Sequence, residues 1–373
     1  MSGVNFRRLS ESRPKNPISY FSGGPNSQTM LSSTRNSLLQ FLPSNSLATL
    51  RATGKEARTA VSQVRLDNTG KVVKGSLEAW RKSFPKALSI NLSGRVLTDD
   101  DFRYLAGVPN VNISYCKGFT DAAFVHLRGI HTLNMSDCRQ ITDTAFQHLR
   151  GITTLDMTSC SQASITDAAF QYLSGIHTLN MNFCDQQTIT DAAFAHLRGI
   201  HTLHMLDCSQ AGITDAAFAN LRGIHTLSMG PRITDAVFVH LTGINTLVMR
   251  GCREVTDAAF QHLVGIHTLN MEYCNQATIT DAIFPYLSGI YSLNVSGCDQ
   301  LNSSKLSSLG CSLKILEVSG CSESLIRMAL QIYGVTENSS NVTRCEVSQG
   351  GKRKTRGKKR YTKTRKLRKN QRG

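Results

Sequence analysis

Histidine is the side chain that most often carries acid–base chemistry or binds a metal near neutral pH, and this chain has eleven. Most of them fall into two columns of a sequence repeat. The first column holds His126, His148, His196, His240 and His262, and the second holds His131, His177, His201, His225 and His267. Other repeats carry Tyr172, Asn220 or Thr153 in these positions. A catalytic or metal-binding histidine would be one residue with special partners, so these interchangeable columns predict no metal site.

Carboxylates are the next candidates for chemistry, and a Thr-Asp pair recurs nine times, from Thr98-Asp99 to Thr280-Asp281. Each pair is followed by a Phe and then a Gly at fixed spacing, which indicates a short helix between a polar cap and a glycine stop. Nine equivalent aspartates at helix starts are interpreted as caps, favoured there by the helix dipole. The sequence has no phosphate loop, nucleophile elbow or acid/base pair. We therefore predict no enzymatic activity, no catalytic residue and no cofactor.

A strand pattern alternates with these helices. Leu133, Met135 and Cys138 form the motif L-x-M-x-x-C, which recurs from Val111 to Cys321. Alternating apolar residues over so short a run predict one strand with one buried face. A strand and a short helix repeating every 20 to 24 residues are typical of a leucine-rich repeat solenoid. The predicted fold class is α/β, with parallel strands on the concave face and short helices outside.

The eleven cysteines belong mainly to this repeat, since only Cys311 and Cys345 lie outside its Cys position. A buried cysteine behaves as a small apolar residue, and the sequence contains no C-x-x-C pair that would suggest zinc. Nothing at the N-terminus resembles a signal peptide. An intracellular chain favours free thiols over disulfides, so the cysteines are predicted to be core thiols.

The motif L-x-M-x-x-C followed by I-T-D-A-A-F resembles the cysteine-containing subclass of leucine-rich repeats, best known from F-box proteins. The resemblance covers residues 90 to 321. The uniform repeats and basic C-terminus are also similar to those of proteins encoded by large DNA viruses of amoebae. The resemblance implies the fold and a protein-binding role, because this scaffold hosts many functions.

Residues 30–66 resemble an F-box, through Phe41-Leu42-Pro43 and the following helical pattern that ends at Arg58. The usual Leu-Pro opening is absent, and Gly54 stands where a Cys is frequent. The resemblance implies binding to a Skp-type adaptor of a cullin–RING (SCF-type) ubiquitin ligase. The expected adaptor contacts are Leu38, Leu39, Phe41, Leu42, Pro43, Leu47 and Leu50. The alternative is a helical cap over the open end of the solenoid.

Repeat length varies only between the Cys position and the next Thr, which places all insertions on one edge and suggests a binding face. The outward positions of the strands differ most between repeats. They include Tyr115, Asp137, Asp156, Phe183, His204, Leu206, Asp207, Arg250, Glu272, Tyr273 and Glu317. Aromatic residues among separated charges suit a protein ligand, and five acids against one arginine favour a basic target over nucleic acid. The alternative function is a stand-alone protein-binding scaffold without a ubiquitin-ligase role.

Composition divides the chain into five parts. We predict a disordered leader (1–29), an F-box-like segment (30–66), a linker helix (67–89), the solenoid (90–335) and a disordered basic tail (336–373). Residues 352–372 contribute thirteen of the sixteen net positive charges. Such a tail is interpreted as solvated, as a nuclear-import signal or as a nucleic-acid contact. No apolar run is long enough for a membrane span, so we expect an intracellular protein of the cytoplasm or nucleus.

Overall fold

One parallel sheet of eleven strands runs through the molecule, with the strands in the order of the sequence. The computed structural model describes residues 44–67, 70–335, 339–343 and 345–346. The strands are β1 Ser89–Asn91, β2 Asn110–Asn112, β3 Thr132–Asn134, β4 Thr154–Asp156, β5 Thr178–Asn180, β6 Thr202–His204, β7 Thr226–Ser228, β8 Thr246–Val248, β9 Thr268–Asn270, β10 Ser292–Asn294 and β11 Ile315–Glu317. Each strand is three residues long, with its central residue buried. The predicted α/β solenoid is therefore confirmed.

A short helical segment packs outside each pair of neighbouring strands. Most are 3₁₀ helices: Asp99–Leu105, Asp121–Leu127, Asp215–Leu221, Asp235–His240, Asp257–Leu263, Asp281–Leu287 and Leu306–Leu309. Three begin as one α-helical turn and continue as 3₁₀: Asp143–Phe146 with Gln147–Leu149, Asp167–Phe170 with Gln171–Leu173, and Asp191–Phe194 with Ala195–Leu197. The tighter 3₁₀ geometry suits segments this short, since only two turns separate the Thr cap from the next strand.

The core consists of side-chain columns that run from repeat to repeat. The phenylalanine of every Thr-Asp helix, from Phe102 to Phe284, is almost completely buried, as are the leucine and methionine of each strand motif. Phe194 and Phe218 of adjacent repeats lie with ring centroids 6.2 Å apart. A single repeat has no partner for these side chains, so stability depends on stacking between neighbours.

Three helices, Ser44–Ala52, Lys55–Ser62 and Leu77–Ser83, precede the sheet. Leu47 and Leu50 are buried, and the Arg51 guanidinium donates to the carbonyl oxygens of Lys82 and Ser83 at 2.9 and 3.1 Å. In the described structure Leu47 and Leu50 hold the helix pair together, and their contact with an adaptor stays a prediction. Leu38, Leu39, Phe41, Leu42 and Pro43, the leader and residues 347–373 of the predicted tail lie outside the described residues.

The C-terminal end of the solenoid departs from the sequence prediction. After the helix Glu323–Tyr333, the chain turns at Gly334 and Asn341 pairs antiparallel with Ile315 of β11. Cys311 and Cys345 form a disulfide, with their Cα atoms 5.6 Å apart. The prediction of thiols throughout was wrong for this pair, because the returning chain brings two cysteines of distant sequence position within bonding range. The returning segment covers the edge strand that would otherwise be exposed.

Within the described ranges, every helix is too short or too polar to cross a lipid bilayer.

Candidate functional site

The Thr-Asp pairs form a ladder of hydrogen bonds between repeats. Asp167 accepts from the backbone N–H of Thr190 at 2.7 Å and from its hydroxyl at 2.6 Å, and Thr190 in turn caps its own helix by accepting from the Ala192 N–H. The same pairing recurs from Asp99 to Asp257, and Asp281 instead accepts from the Asn302 N–H and from Ser304. The threonine is therefore the cap, and the aspartate is a clamp on the following repeat. The sequence interpretation of the aspartates as caps was wrong, because the donors to each carboxylate lie about one repeat along the chain and only stacking brings them close.

The cysteine column also makes a polar contact that the sequence did not show. The Cys184 thiol donates to the Met157 carbonyl oxygen at 3.1 Å, and the Cys274 thiol to that of Met249 at 3.0 Å. Each of these carbonyl oxygens also accepts the backbone N–H of the cysteine in its own repeat, Cys160 or Cys252, so the thiol is its second donor. A small side chain with a weak donor meets both the packing and the hydrogen-bonding requirement, which explains why cysteine recurs at this position.

Burial raises the pKa of these thiols, to about 11 for Cys274 and about 12 for Cys160 and Cys208. Because the thiolate is the reactive species, we expect the eight buried thiols to resist a thiol reagent at neutral pH in the native protein. The half-buried Cys321 should react first. Titration with a chromogenic disulfide before and after denaturation measures both groups, and rapid native reaction of all nine free thiols would contradict the prediction.

A glutamine column supports the same loops and was missed by the sequence analysis. Gln162 donates from its side-chain amide to the carbonyl oxygens of Cys138 and Ile141, and Gln276 does so to those of Cys252 and Val255. The signal was present in the sequence, since a glutamine stands two residues after the cysteine in several repeats. Its role depends on carbonyl groups of the preceding repeat.

The residue before each cysteine position adopts a left-handed backbone, and we call this row the turn ridge. Four members are glycines, Gly94, Gly251, Gly297 and Gly320, and six are Tyr115, Asp137, Ser159, Phe183, Asp207 and Tyr273, with φ between 56° and 60°. A positive φ is unusual for a bulky residue. Tyr115, Phe183 and Tyr273 nevertheless hold their rings 60, 51 and 55% exposed there. Backbone strain at exposed aromatic residues is an observation that points to a functional surface.

Most of the predicted target contacts lie on or beside this ridge rather than on the strands. The strands end three residues before the ridge, so Tyr115, Asp137, Phe183, Asp207 and Tyr273 occupy the turn at the C-terminal edge of the sheet. The short strands explain the difference from the predicted strand positions. Asp137 is paired with Arg139 at 2.6 Å.

Two other predicted contacts, Asp156 and His204, do lie on strands. Asp156 accepts from the backbone N–H and the hydroxyl of Thr158 at 3.1 and 2.6 Å, so it shapes its own turn. His204 lies 2.9 Å from the Ser228 hydroxyl, and burial lowers its pKa despite the opposing effect of Asp156. Both side chains are half-buried and contribute less free surface than the ridge.

The shortened repeat around Pro231 opens a hollow of about 220 Å³ beside the ridge. Leu206, Asp207, Pro231, Arg250 and Tyr273 line it. The Arg250 side chain is held by Glu272 at 2.9 Å. The structure thus gathers four of the predicted target residues, Leu206, Asp207, Arg250 and Tyr273, around one concavity. Tyr115, Asp137 and Phe183 follow the ridge toward the N-terminal end.

The ring of Tyr273 lies over the next member of the ridge. A Cβ atom on Gly297 would meet the Tyr273 ring at 2.4 Å, and Gly297 has a φ of 72°. Only glycine satisfies both requirements at this position. One side of the ring therefore packs against the Gly297 backbone beside the hollow, and the residue stays 55% exposed. An aromatic ring supported in this way is a favourable anchor for a protein partner.

Ten of the eleven histidines lie away from the ridge, at the opposite edge of the sheet, whereas His204 lies on β6. His177, His201 and His225 stack in sequence with ring centroids 4.5 Å apart. Parallel stacked rings do not converge on one point, and in the described part of the chain no cluster of three His, Cys, Asp or Glu is placed to hold a metal.

Comparison with known proteins adds a family match over part of the chain. The BspA-type leucine-rich repeat region matches residues 97–225 in six copies. No curated protein matches the sequence.

Three solved structures are similar at low identity. The Rad7 and Elc1 complex of yeast gives 14% identity over 80% of this chain and 88% of that chain, with a TM-score of 0.43. The TLR13–ssRNA13 complex gives 18% over 71% and 45%, and the Toll–Spätzle complex of Drosophila gives 11% over 65% and 37%, each with a TM-score of 0.46. At these identities and TM-scores, the similarity gives no information about what this protein binds or assembles with. The stacked sheet and the matched repeats make this protein a leucine-rich repeat solenoid.

Proposed function

We propose that the protein is a non-enzymatic, substrate-recruiting adaptor of a cullin–RING ubiquitin ligase. The turn ridge and its hollow hold a target protein, and residues 30–66 bind a Skp-type adaptor. The observation that carries the target-binding part is the row of exposed, strained aromatic residues, Tyr115, Phe183 and Tyr273. Aromatic anchors beside a pocket, with charges around them, are typical of the centre of protein interfaces.

The chemistry of the ridge favours a basic target. Asp137 and Glu272 are already paired with arginines, whereas Asp207 is exposed at the rim of the hollow. An apolar side chain of the target fits against Leu206 and Pro231, with a neighbouring cation near Asp207. The recruiting role then consists of raising the local concentration of the target near the ligase.

Replacing the three aromatic residues by glycine is expected to separate binding from folding. Glycine already occupies four positions of the ridge, and the relief of left-handed strain offsets the greater freedom of glycine in the unfolded chain, so the free energy of unfolding should change by only about 1 kcal/mol. Proteins enriched by the wild type should be lost by the variant, and a purified partner should bind it at least about 30-fold more weakly, as expected for hot-spot residues.

The matched control replaces Val125 and Val239, which are similarly exposed on the outer helices, by alanine. Partners that bind the control and the wild type equally, and bind the glycine variant less, support the ridge. A partner that tolerates the glycine variant at full affinity would place the binding site elsewhere.

The ligase part rests on the F-box resemblance of 30–66, supported by the two packed helices Ser44–Ala52 and Lys55–Ser62. Co-expression with a Skp-type adaptor should recover a complex with the wild type. The Leu42→Asp/Pro43→Ala variant should lose it, because a charge in an apolar contact is costly to desolvate. Val264→Asp, at a side chain 64% exposed, is the control and should keep the adaptor. If the well-folded wild type binds no adaptor, the ligase role is rejected and the protein is a stand-alone binding scaffold.

A further inference from the structure

The edge of the solenoid opposite the turn ridge carries basic residues and no acids. It consists of the eight loops between an outer helix and the next strand, from 126–131 to 286–291, which we call the basic edge. These loops contain four arginines, ten of the eleven histidines and no aspartate or glutamate. All four arginines, Arg128, Arg150, Arg198 and Arg222, are exposed. With neutral histidines the edge carries four positive charges, and each protonated histidine adds another.

The arginines and histidines of neighbouring repeats contact each other along this edge. The Arg128 Nε donates to His148 Nδ1 at 3.3 Å, and Arg222 Nε does so to His240 Nδ1 at the same distance. A protonated imidazole has no acceptor nitrogen, so protonation converts each hydrogen-bonded pair into two adjacent cations. An anionic oxygen placed between them would then be held from both sides.

The stacked histidines lie in the same row. The groups that face His177, His201 and His225 are the hydroxyls of the following threonines, at 3.1 to 3.2 Å from Nδ1, and the neighbouring imidazoles. Arg198 and Arg222 belong to the same loops. Burial and the two flanking histidines lower the pKa of His201, and burial and Arg128 lower that of His148. A bound anion would oppose this lowering of the pKa at His148 and His201, because a nearby negative charge stabilises the protonated imidazole.

The basic edge begins at a cleft of about 550 Å³ between the N-terminal helices and the first repeats. Its charged or titratable lining residues are Arg65, Lys86, His126, Arg128 and His131, and no acid is among the lining residues. The apolar lining consists of Pro85, Ala87, Leu88, Val108, Pro109, Leu127 and Ile130. A cleft of this chemistry accepts an anionic group, and the row of loops continues from it along the solenoid.

We propose that the basic edge binds the phosphate backbone of single-stranded nucleic acid, without sequence preference and more tightly as the pH falls. Three observations favour nucleic acid over an acidic protein. Seven of the eight loops carry at least one histidine, Arg128 and Arg150 lie in adjacent loops, and so do Arg198 and Arg222. Neighbouring strands are about 4.8 Å apart, so this row suits a flexible chain of regularly spaced anions. Aromatic rings lie along the same edge: the Arg150 guanidinium sits 4.8 Å from the ring centroid of Tyr172, and the exposed Tyr286 and Tyr291 continue the edge, with Tyr291 stacked on His267. Bases stack on such rings. Protein interfaces, in contrast, are depleted of charge at their centre.

The test measures fluorescence anisotropy of labelled oligothymidylate and oligouridylate, each about 20 nucleotides long, with the full-length chain at constant ionic strength. The basic tail binds polyanions as well, but its lysines and arginines do not titrate between about pH 5.5 and 7.5. The increase in affinity over this range therefore reports on the basic edge alone. We expect both oligonucleotides to bind at least about tenfold more tightly at the lower pH, with a steeper salt dependence.

The variant His177→Asn/His201→Asn/His225→Asn should lose a measurable part of this increase, because three of the ten histidines of the edge are removed, and asparagine is tolerated because Asn245 occupies the same column. His204→Asn, at the histidine that lies off the edge, is the control and should keep it. If circular dichroism shows that the triple variant does not fold, the second variant is Arg128→Ser/Arg198→Ser. Serine is tolerated at this repeat position because Ser174 occupies it in another repeat. It should weaken binding at both pH values.

Several results would overturn the proposal. They are a wild-type affinity that does not change with pH, an increase that the triple histidine variant retains in full, and arginine variants that bind normally. Polyglutamate that competes as strongly as the oligonucleotides would assign the edge to an acidic protein instead. A difference in affinity between oligothymidylate and oligouridylate would show which of the two the edge prefers. Binding of both would still support recognition of the phosphate groups that they share. Because the ridge residues are unchanged, failure here is separate from failure of target binding.

Discussion

Replacing Phe194 with alanine is expected to lower the free energy of unfolding by about 3–5 kcal/mol. The Phe194 ring is fully buried in the middle of the phenylalanine column, 6.2 Å from the ring of Phe218. Its removal costs the transfer of the ring to water and leaves a cavity between two repeats, which the neighbouring rings cannot fill because each is fixed in its own layer. Chemical denaturation followed by circular dichroism measures the loss.

The position of Phe194 adds a second expected effect. In a solenoid each repeat contacts only its neighbours, so the repeats on the two sides of a weakened contact are coupled only through that contact. Weakening one central contact should therefore broaden the unfolding transition or split it into two. The control is Val125→Ala on an outer helix, where the side chain is partly exposed and the change should stay within about 0.5 kcal/mol. A variant at Phe194 with the stability and cooperativity of the wild type would show that the column does not hold the repeats together.

Replacing Asp167 with alanine is expected to destabilise the protein by about 2 kcal/mol, because two charge-assisted hydrogen bonds are lost. The carboxylate accepts from both the N–H and the hydroxyl of Thr190, and these donors are half-buried. Asp167→Asn keeps one acceptor oxygen and should cost about half as much. Asp185→Ala, at an exposed carboxylate in a nearby loop, is the control and should leave stability unchanged.

A double-mutant cycle separates the clamp from other effects of the aspartate. Thr190→Val removes the hydroxyl and keeps the shape of the side chain, so the coupling between Asp167→Ala and Thr190→Val should be about 1 kcal/mol. The remaining loss belongs to the bond with the Thr190 N–H. Additive effects of the two substitutions would mean that the hydroxyl contributes nothing, which would reduce the ladder to a backbone contact.

The repeat spacing was enough to predict the solenoid, because burial of one face requires stacking and stacking requires a regular period. The buried roles of Leu133, Met135 and Phe146 follow from their period alone. The contacts of Asp167 and Cys184 do not, since their partners lie about one repeat away along the chain. The sequence showed that these positions repeat, and only the register between neighbours showed what they bind.

For the binding surface, too, the sequence predicted some features and the structure was needed for others. Sequence variation marked Tyr115, Phe183 and Tyr273 as candidates, but it placed them on strands, because alternation cannot show where a three-residue strand ends. Their left-handed backbone and the hollow beside Pro231 follow from the turn geometry and from a repeat four residues shorter than its neighbour. The histidine columns were likewise visible as repeat features, whereas their gathering at one acid-free edge required the stacked structure.

The sequence by itself determined the fold, the number of strands in the regular array and the identity of the buried columns, because these depend on a local period repeated many times. The tertiary structure alone decided which polar groups pair between repeats, which residues share an edge and which two cysteines meet. These properties depend on distances between residues that are remote in the chain. A periodic pattern specifies what each repeat contains, and stacking specifies what each repeat touches.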